Sequence, residues 1–200
     1  MNFRFYSITS LLFLIPILSF SQPNILLIIA DDVGVDPVPN YLPDAEKANM
    51  PNLENMMSEG LTFDNVWANP TCSPTRATIL TGKYGFRTGV LNPSNQSTVP
   101  LDETSLHKYI DQTSGGAYSS SLIGKWHLGG SANQLTEYPN EMGIEHFAGI
   151  MGGGVGNYNN WPLTINGFSQ NSQEYVTSKL TNLAIDWIND QNQPWFCWLA

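Results

Sequence analysis

Cys72, Arg76, Asp31, Asp32, Lys125 and His127 are the residues whose types and spacing suit chemistry. Cys72 stands at a predicted helix start within Pro70-Thr71-Cys72-Ser73-Pro74-Thr75-Arg76. Ser73 is placed to cap that helix, and Pro74 suits a first turn where a missing N–H costs nothing. Ile79 and Leu80 give it an apolar side, and Gly82 suits its stop. Cys72 and Arg76 lie four positions apart, so the guanidinium can approach the sulfur at the electropositive end of the helix. Such a place can hold an anion or activate a nucleophile. A buried cysteine ahead of an ordinary surface helix is the plainer alternative.

Asp31 and Asp32 follow the apolar run Asn24–Ala30, which reads as a central strand covered on both faces. They therefore fall at a strand's carboxyl end, where open α/β sheets place their ligands. Adjacent carboxylates are hard oxygen ligands suited to Ca²⁺ or Mg²⁺, although aspartates also favour strand-to-loop turns for conformational reasons. Lys125 and His127 close a second core strand, Tyr118–Ile123, and so can reach the same sheet edge. His107, on a helix after Asp102, and His146, in Gly143–Phe147, read as structural. Lys83 and Arg87 read as framework or surface cations. The Gly152–Gly156 cluster follows no clear strand and lacks a Lys-Ser/Thr, so it fails the phosphate-loop pattern.

Several elements must position these residues. A short helix is predicted from Met50 to Glu59, ended by Gly60, and an extended piece over Phe63–Trp67. Asp102 is placed to cap a helix whose apolar side is Leu106, Tyr109 and Ile110. Residues 129–171 read as loop. Val176, Leu180, Leu183, Ala184, Trp187 and Ile188 then share one face of a helix within Asn171–Asp190. A last apolar strand starts at Trp195. Strands alternating with helices predict an α/β fold: one mainly parallel or mixed central sheet with helices on both faces. The last strand stops at Ala200, which suggests a truncated domain.

The chain carries a formal net charge of −9 and shows no basic patch, which argues against a nucleic-acid partner. It would also repel a polyanion at long range, so an anionic ligand must be gripped by a few local cations. Residues 1–21 read as a signal peptide: Arg4 supplies the positive end, Ile8–Phe20 the apolar stretch, and Ser19-Phe20-Ser21 the cleavage site. The stretch is short for a membrane span and holds Pro16, so no stable anchor is expected. The expected location is periplasmic, extracellular or an endomembrane lumen. Export would permit a disulfide between Cys72 and Cys197, but two cysteines make no disulfide scaffold. Cys197 sits in an apolar strand and reads as a core thiol.

The run Pro70–Gly82, with Cys72-Ser73-Pro74-Thr75-Arg76 at its heart, resembles the signature of the type I sulfatases, members of the alkaline phosphatase superfamily. Tyr118–His127 resembles their second signature, with Ala117 standing where the family usually has glycine, and Ile25–Gly34 resembles their first metal motif. The resemblance implies that Cys72 is oxidised by a formylglycine-generating enzyme to formylglycine, whose hydrate is the nucleophile. It implies a divalent metal, Ca²⁺ ahead of Mg²⁺, held by Asp31, Asp32 and residue 72. It further implies that Arg76 and Lys125 grip the sulfate and that His127 sits by the formylglycine hydroxyl or a substrate oxygen. Residues 22–200 would be the amino-terminal part of a sulfatase catalytic domain that cleaves aryl or carbohydrate sulfate esters, inactive as this piece alone. A thiol phosphatase would need arginine at position 78, which is Thr78. The remaining alternatives are a phosphonate or phosphodiester hydrolase on the same fold, and a non-catalytic exported glycan-binding fragment.

Overall fold

The computed structural model describes residues 22–39, 41–42, 44–129 and 135–200. The expected signal peptide, residues 1–21, lies outside the described residues. No described helix is long and apolar enough to cross a membrane.

Six strands form one sheet: β1 (Ile25–Ile28), β2 (Ser119–Lys125), β3 (His146–Ile150), β4 (Trp161–Ile165), β5 (Phe168–Ser172) and β6 (Trp195–Leu199). Their order is β1-β6-β2-β3-β4-β5. The first four in that order run parallel, and β4 and β5 add an antiparallel hairpin at the edge, so the sheet is mixed. The helices are α1 (Pro51–Glu59), α2 (Cys72–Thr81), α3 (Gly85–Thr88), α4 (Leu106–Ser114), α5 (Tyr138–Glu141) and α6 (Val176–Asn189).

Parallel strands are joined by helical crossovers, so both sheet faces acquire a helical layer. On one face Ala77 and Leu80 of α2, with Leu106 and Ile110 of α4, meet Leu122, Phe147, Phe196 and Trp198. On the other, Val176, Leu180 and Ala184 of α6 cover Ile123, Ala148, Leu163 and Cys197. The stripe expected on the last helix is the one that packs. Cys72 and Cys197 are free thiols, and burial pushes the Cys197 thiol up.

Four expectations need correcting. Residues 135–172, expected as loop up to 171, hold α5, β3, β4 and β5, because glycines and asparagines there mark tight connections between short strands. The hairpin β4–β5 turns on Asn166 and Gly167, both at positive φ, which suits a two-residue turn. No strand forms over Phe63–Trp67. β1 pairs only with β6 among the described residues, and Ile25, Leu26 and Ile28 are exposed, so it is an edge strand here and not a central one. The helix after Asp102 also starts later than expected: Ser105 caps it by accepting from the Lys108 N–H, and Tyr109 faces solvent.

His107 of α4 is fully buried against Phe196 and Trp198 and shares a 3.2 Å hydrogen bond with the Ser121 carbonyl through Nε2. Its Nδ1 has no partner among the described residues. Burial, only partly offset by the Ser121 carbonyl, pushes its pKa down to about 4. The unfolded chain, with an ordinary histidine near 6.5, therefore takes up the extra proton first, and folding stability falls as pH drops from about 6.5 to about 4. The full loss is about 3 kcal/mol. His107→Gln should flatten that part of the pH dependence; urea midpoints of both proteins at pH 7 and pH 4.5 measure the difference.

Candidate functional site

Cys72 is the first residue of α2, so its side chain leaves the helix at the end where backbone N–H groups are unpaired. The cap residue is Thr71, without a side-chain cap bond. Ser73 does not cap the helix as expected: it is buried, and its hydroxyl donates 2.8 Å to the backbone carbonyl of His127. The helix ends as expected at Gly82, in the left-handed conformation. Below the cysteine, Arg76 is buried to 2% exposure, and its Nη1 donates 2.5 Å to the Lys125 carbonyl. Two side chains of one helical turn thereby tie α2 to the end of β2.

Gly124 sets how β2 ends. Its φ is +121°, and a Cβ there would lie 1.7 Å from the Ala200 carbonyl oxygen, so only glycine fits between the strands. Lys125 follows as the last residue of the strand. His127 has φ +55°, in the left-handed region that L residues seldom occupy, and such outliers gather at functional sites. Its backbone N–H donates 3.1 Å to the Met151 carbonyl. Its imidazole Nδ1 lies 3.2 Å from the Cys72 sulfur. Burial holds the His127 pKa below its ordinary value, and the neighbouring Lys125 charge acts in the same direction.

Asp31 and Asp32 stand just past the carboxyl end of β1. The Asp31 carboxylate is paired with Lys125 Nζ at 2.5 Å and with Arg76 Nη2 at 3.7 Å. Burial alone would raise the Asp31 pKa, but the Lys125 hydrogen bond and the charges of Lys125 and Arg76 outweigh it and hold the carboxyl below its ordinary value. Arg76 Nε and Nη2 are buried without a hydrogen-bond partner among the described residues. Such orphaned donors are rare, and they leave this cation under-satisfied beside the cysteine. Asp32 is exposed, at φ +59°.

One cavity is lined by Asp31, Asp32, Asn69, Cys72, Thr75 and Arg76, with others. His127 meets it through Cys72, and Lys125 through Asp31. A larger cavity between Met151, Pro162 and Ser169 has no titratable group in its wall, so it offers little chemistry. The residues singled out from the sequence are thus brought together. Among the described residues, no three His, Cys, Asp or Glu side chains are grouped closely enough to hold a metal by themselves. Two carboxylates supply only part of the six to eight oxygens a hard cation takes. A thiol is a soft ligand and matches such an ion poorly, whereas oxygens at residue 72 would match it. The donor set fits one side of a hard-cation site on that condition. Ser73 was assigned a helix cap from the sequence; no local signal marks its tie to His127, 54 residues away.

The family model for Sulfatase matches residues 23–200. Arylsulfatase G of Mus musculus is 38% identical over 151 residues, 69% of this chain and 27% of the relative. The steryl-sulfatase of Homo sapiens is 33% identical over 143 residues, 65% of this chain and 24% of the relative. The chain thus spans about a quarter of the length of these curated relatives. A solved structure in complex with its substrate D-glucosamine-2-N,6-O-disulfate superposes with a TM-score of 0.72 at 28% identity, covering 90% of this chain and 34% of that one. A second, Ps i-CgsB in complex with k-i-k-neocarrahexaose, gives 0.71 at 25% identity over 90% of this chain and 45% of that one.

Proposed function

We propose that this chain, which belongs to the sulfatase family and carries its alkaline phosphatase-like fold, supplies one side of the active site of a sulfuric ester hydrolase. The observation that carries the reading is the contact of Cys72 with His127 at 3.2 Å, beside the Arg76–Asp31–Lys125 ion-pair cluster. The nucleophile position and one cation line one cavity, and an imidazole and a second cation reach it through Cys72 and Asp31. Sulfatases generally use a divalent metal and formylglycine. Here Asp31 and Asp32 would hold the metal, Ca²⁺ ahead of Mg²⁺, which supplies Lewis acidity to the oxygens of residue 72 and of the sulfate. Formylglycine, made from Cys72 by a formylglycine-generating enzyme, supplies a hydroxyl nucleophile that thiol chemistry lacks.

The chain's own residues do the rest. The amino end of α2 holds residue 72 against unpaired backbone N–H groups, which favour negative charge. Arg76 in the cavity wall and Lys125, paired with Asp31, would neutralise sulfonyl oxygens as the S–O bond to the leaving alcohol breaks. Asp31 holds Lys125 in place and pairs with its charge. His127 stands beside residue 72, close enough to pass a proton between it and a substrate oxygen. The net reaction adds water to the ester and releases an alcohol and sulfate.

The substrate class that fits is a sulfated glycan or an aryl sulfate; the two structural relatives hold a sulfated sugar and a carrahexaose. The protein would be exported through residues 1–21, act on small sulfate esters, and have no nucleic-acid partner. The test uses the full-length protein made beside a maturing enzyme. Mass spectrometry of the peptide bearing residue 72 should show sulfur replaced by carbonyl oxygen, and Cys72→Ala should abolish hydrolysis of a chromogenic aryl sulfate. A peptide that keeps its thiol under those conditions overturns the mechanism. Turnover of a phosphodiester in place of the sulfate would move the protein to the phosphorus branch of this chemistry.

A further inference from the structure

We propose that Gly153 is a positioning residue that sets where the His127 imidazole lies; the inference rests on the reading of His127 as a residue that meets the substrate. Gly152, Gly153 and Gly154 are consecutive, and nothing in the sequence separates them. The structure does. A Cβ at Gly153 would lie 2.7 Å from His127 Cε1, 3.0 Å from Nε2 and 3.2 Å from Nδ1. At Gly152 and Gly154 a Cβ would have nothing within 4 Å. None of the three has a left-handed backbone, so conformation does not demand glycine at any of them. Space demands it at Gly153 alone.

The ring cannot easily retreat from an added methyl group. The His127 carbonyl accepts the Ser73 hydroxyl whatever stands at residue 72, and in the thiol form the Cys72 sulfur also engages Nδ1 at 3.2 Å. The Trp126 and His127 N–H groups donate to the Ile150 and Met151 carbonyls, so the segment leading to Gly153 is tied to the histidine's own backbone. The imidazole is therefore held between residue 72 on α2 and the bare backbone after β3. Closed packing of this kind transmits a few tenths of an ångström, and a reacting group displaced by up to about 1 Å can lower the rate by about 10²-fold.

The experiment is a cycle in the full-length matured enzyme with a chromogenic sulfate ester. Gly153→Ala should lower kcat by about 10- to 100-fold with little change in KM, whereas Gly152→Ala and Gly154→Ala should leave both unchanged. In the His127→Ala background, Gly153→Ala should have no further effect, because the methyl group then occupies the space the ring has left. Thermal melting gives a second readout: Gly153→Ala should lower Tm in the native background and not beside His127→Ala. This holds even if the single variant folds too poorly for kinetics. Full activity of Gly153→Ala beside an impaired His127→Ala overturns the inference alone. Equal losses in all three glycine variants, or multiplicative losses in the double variant, also overturn it. Full activity of His127→Ala overturns the reading of the site, and the inference with it.

Discussion

Asp31→Asn is expected to weaken the fold and to remove activity together. The substitution keeps the shape of the side chain and deletes its charge, leaving Arg76 and Lys125, 2% and 9% exposed, without their shared counter-ion. Breaking a buried ion pair by removing one partner costs about 3–5 kcal/mol. A third of the Asp31 side chain is exposed, so the lower end, about 3 kcal/mol, applies. For a domain of this size that is a fall in Tm of about 6–12 °C. The pH dependence checks the cause. The folded-state pKa of Asp31 lies below its ordinary value of 3.8, so its contribution is present above that value and is lost as pH falls through the folded pKa. The Tm gap between native protein and Asp31→Asn should thus be full at neutral pH and close at strongly acid pH. Hydrolysis by the full-length enzyme should fall on the order of 10³-fold, since on the proposed reading the variant loses a metal ligand and the anchor of Lys125 together. Unchanged Tm with lost activity would mean that Lys125 and Arg76 find other partners.

The site was more legible than the sheet, for physical reasons. Cys72, Arg76, Lys125 and His127 sit beside features that are local: a helix start, a helix stop at Gly82 and an unbroken apolar strand. Asp31 and Asp32 follow such a strand directly, and the carboxyl edge of a parallel sheet then gathers all of them. The β3–β5 segment looks like loop in the sequence because its signals are weak in isolation. β5, Phe168-Ser169-Gln170-Asn171-Ser172, is mostly polar and exposed and exists because it pairs with β4. Propensity does not reveal a strand whose stability comes from its neighbour. The exposure of β1 was equally hidden, because an apolar run predicts burial but not which element provides it. Long-range ties were out of reach altogether. Ser73 meeting the His127 carbonyl and Arg76 meeting the Lys125 carbonyl depend on how α2 lies against β2, which no pattern within either segment encodes.

Asp32→Asn should separate the proposed metal binding from folding, which Asp31 cannot do because its carboxylate also pairs with Lys125 and Arg76. Asp32 is exposed, and among the described residues its side chain makes no hydrogen bond or ion pair. Its φ of +59° is one that asparagine tolerates better than other non-glycine residues, so the substitution adds no backbone strain. The metal-free variant should therefore melt within about 0.5 kcal/mol of the native protein. Metal should divide them. In the full-length protein with mature residue 72, Ca²⁺ at about a hundred times its dissociation constant stabilises the folded state by about 2.7 kcal/mol. That raises Tm by less than the roughly 2–4 °C per kcal/mol of a domain of about 150–250 residues, because the relatives' full length is about four times the matched part. Asp32→Asn should lose most of that rise, because one hard anionic oxygen is replaced by a neutral amide in a site that must neutralise two charges. Repeating the titration on Cys72→Ala tests the other half of the argument: a soft or missing ligand at residue 72 should weaken the rise even with both aspartates intact. A full Ca²⁺ response in Asp32→Asn would place the ion elsewhere and leave Asp31 as a purely structural counter-ion for Lys125 and Arg76.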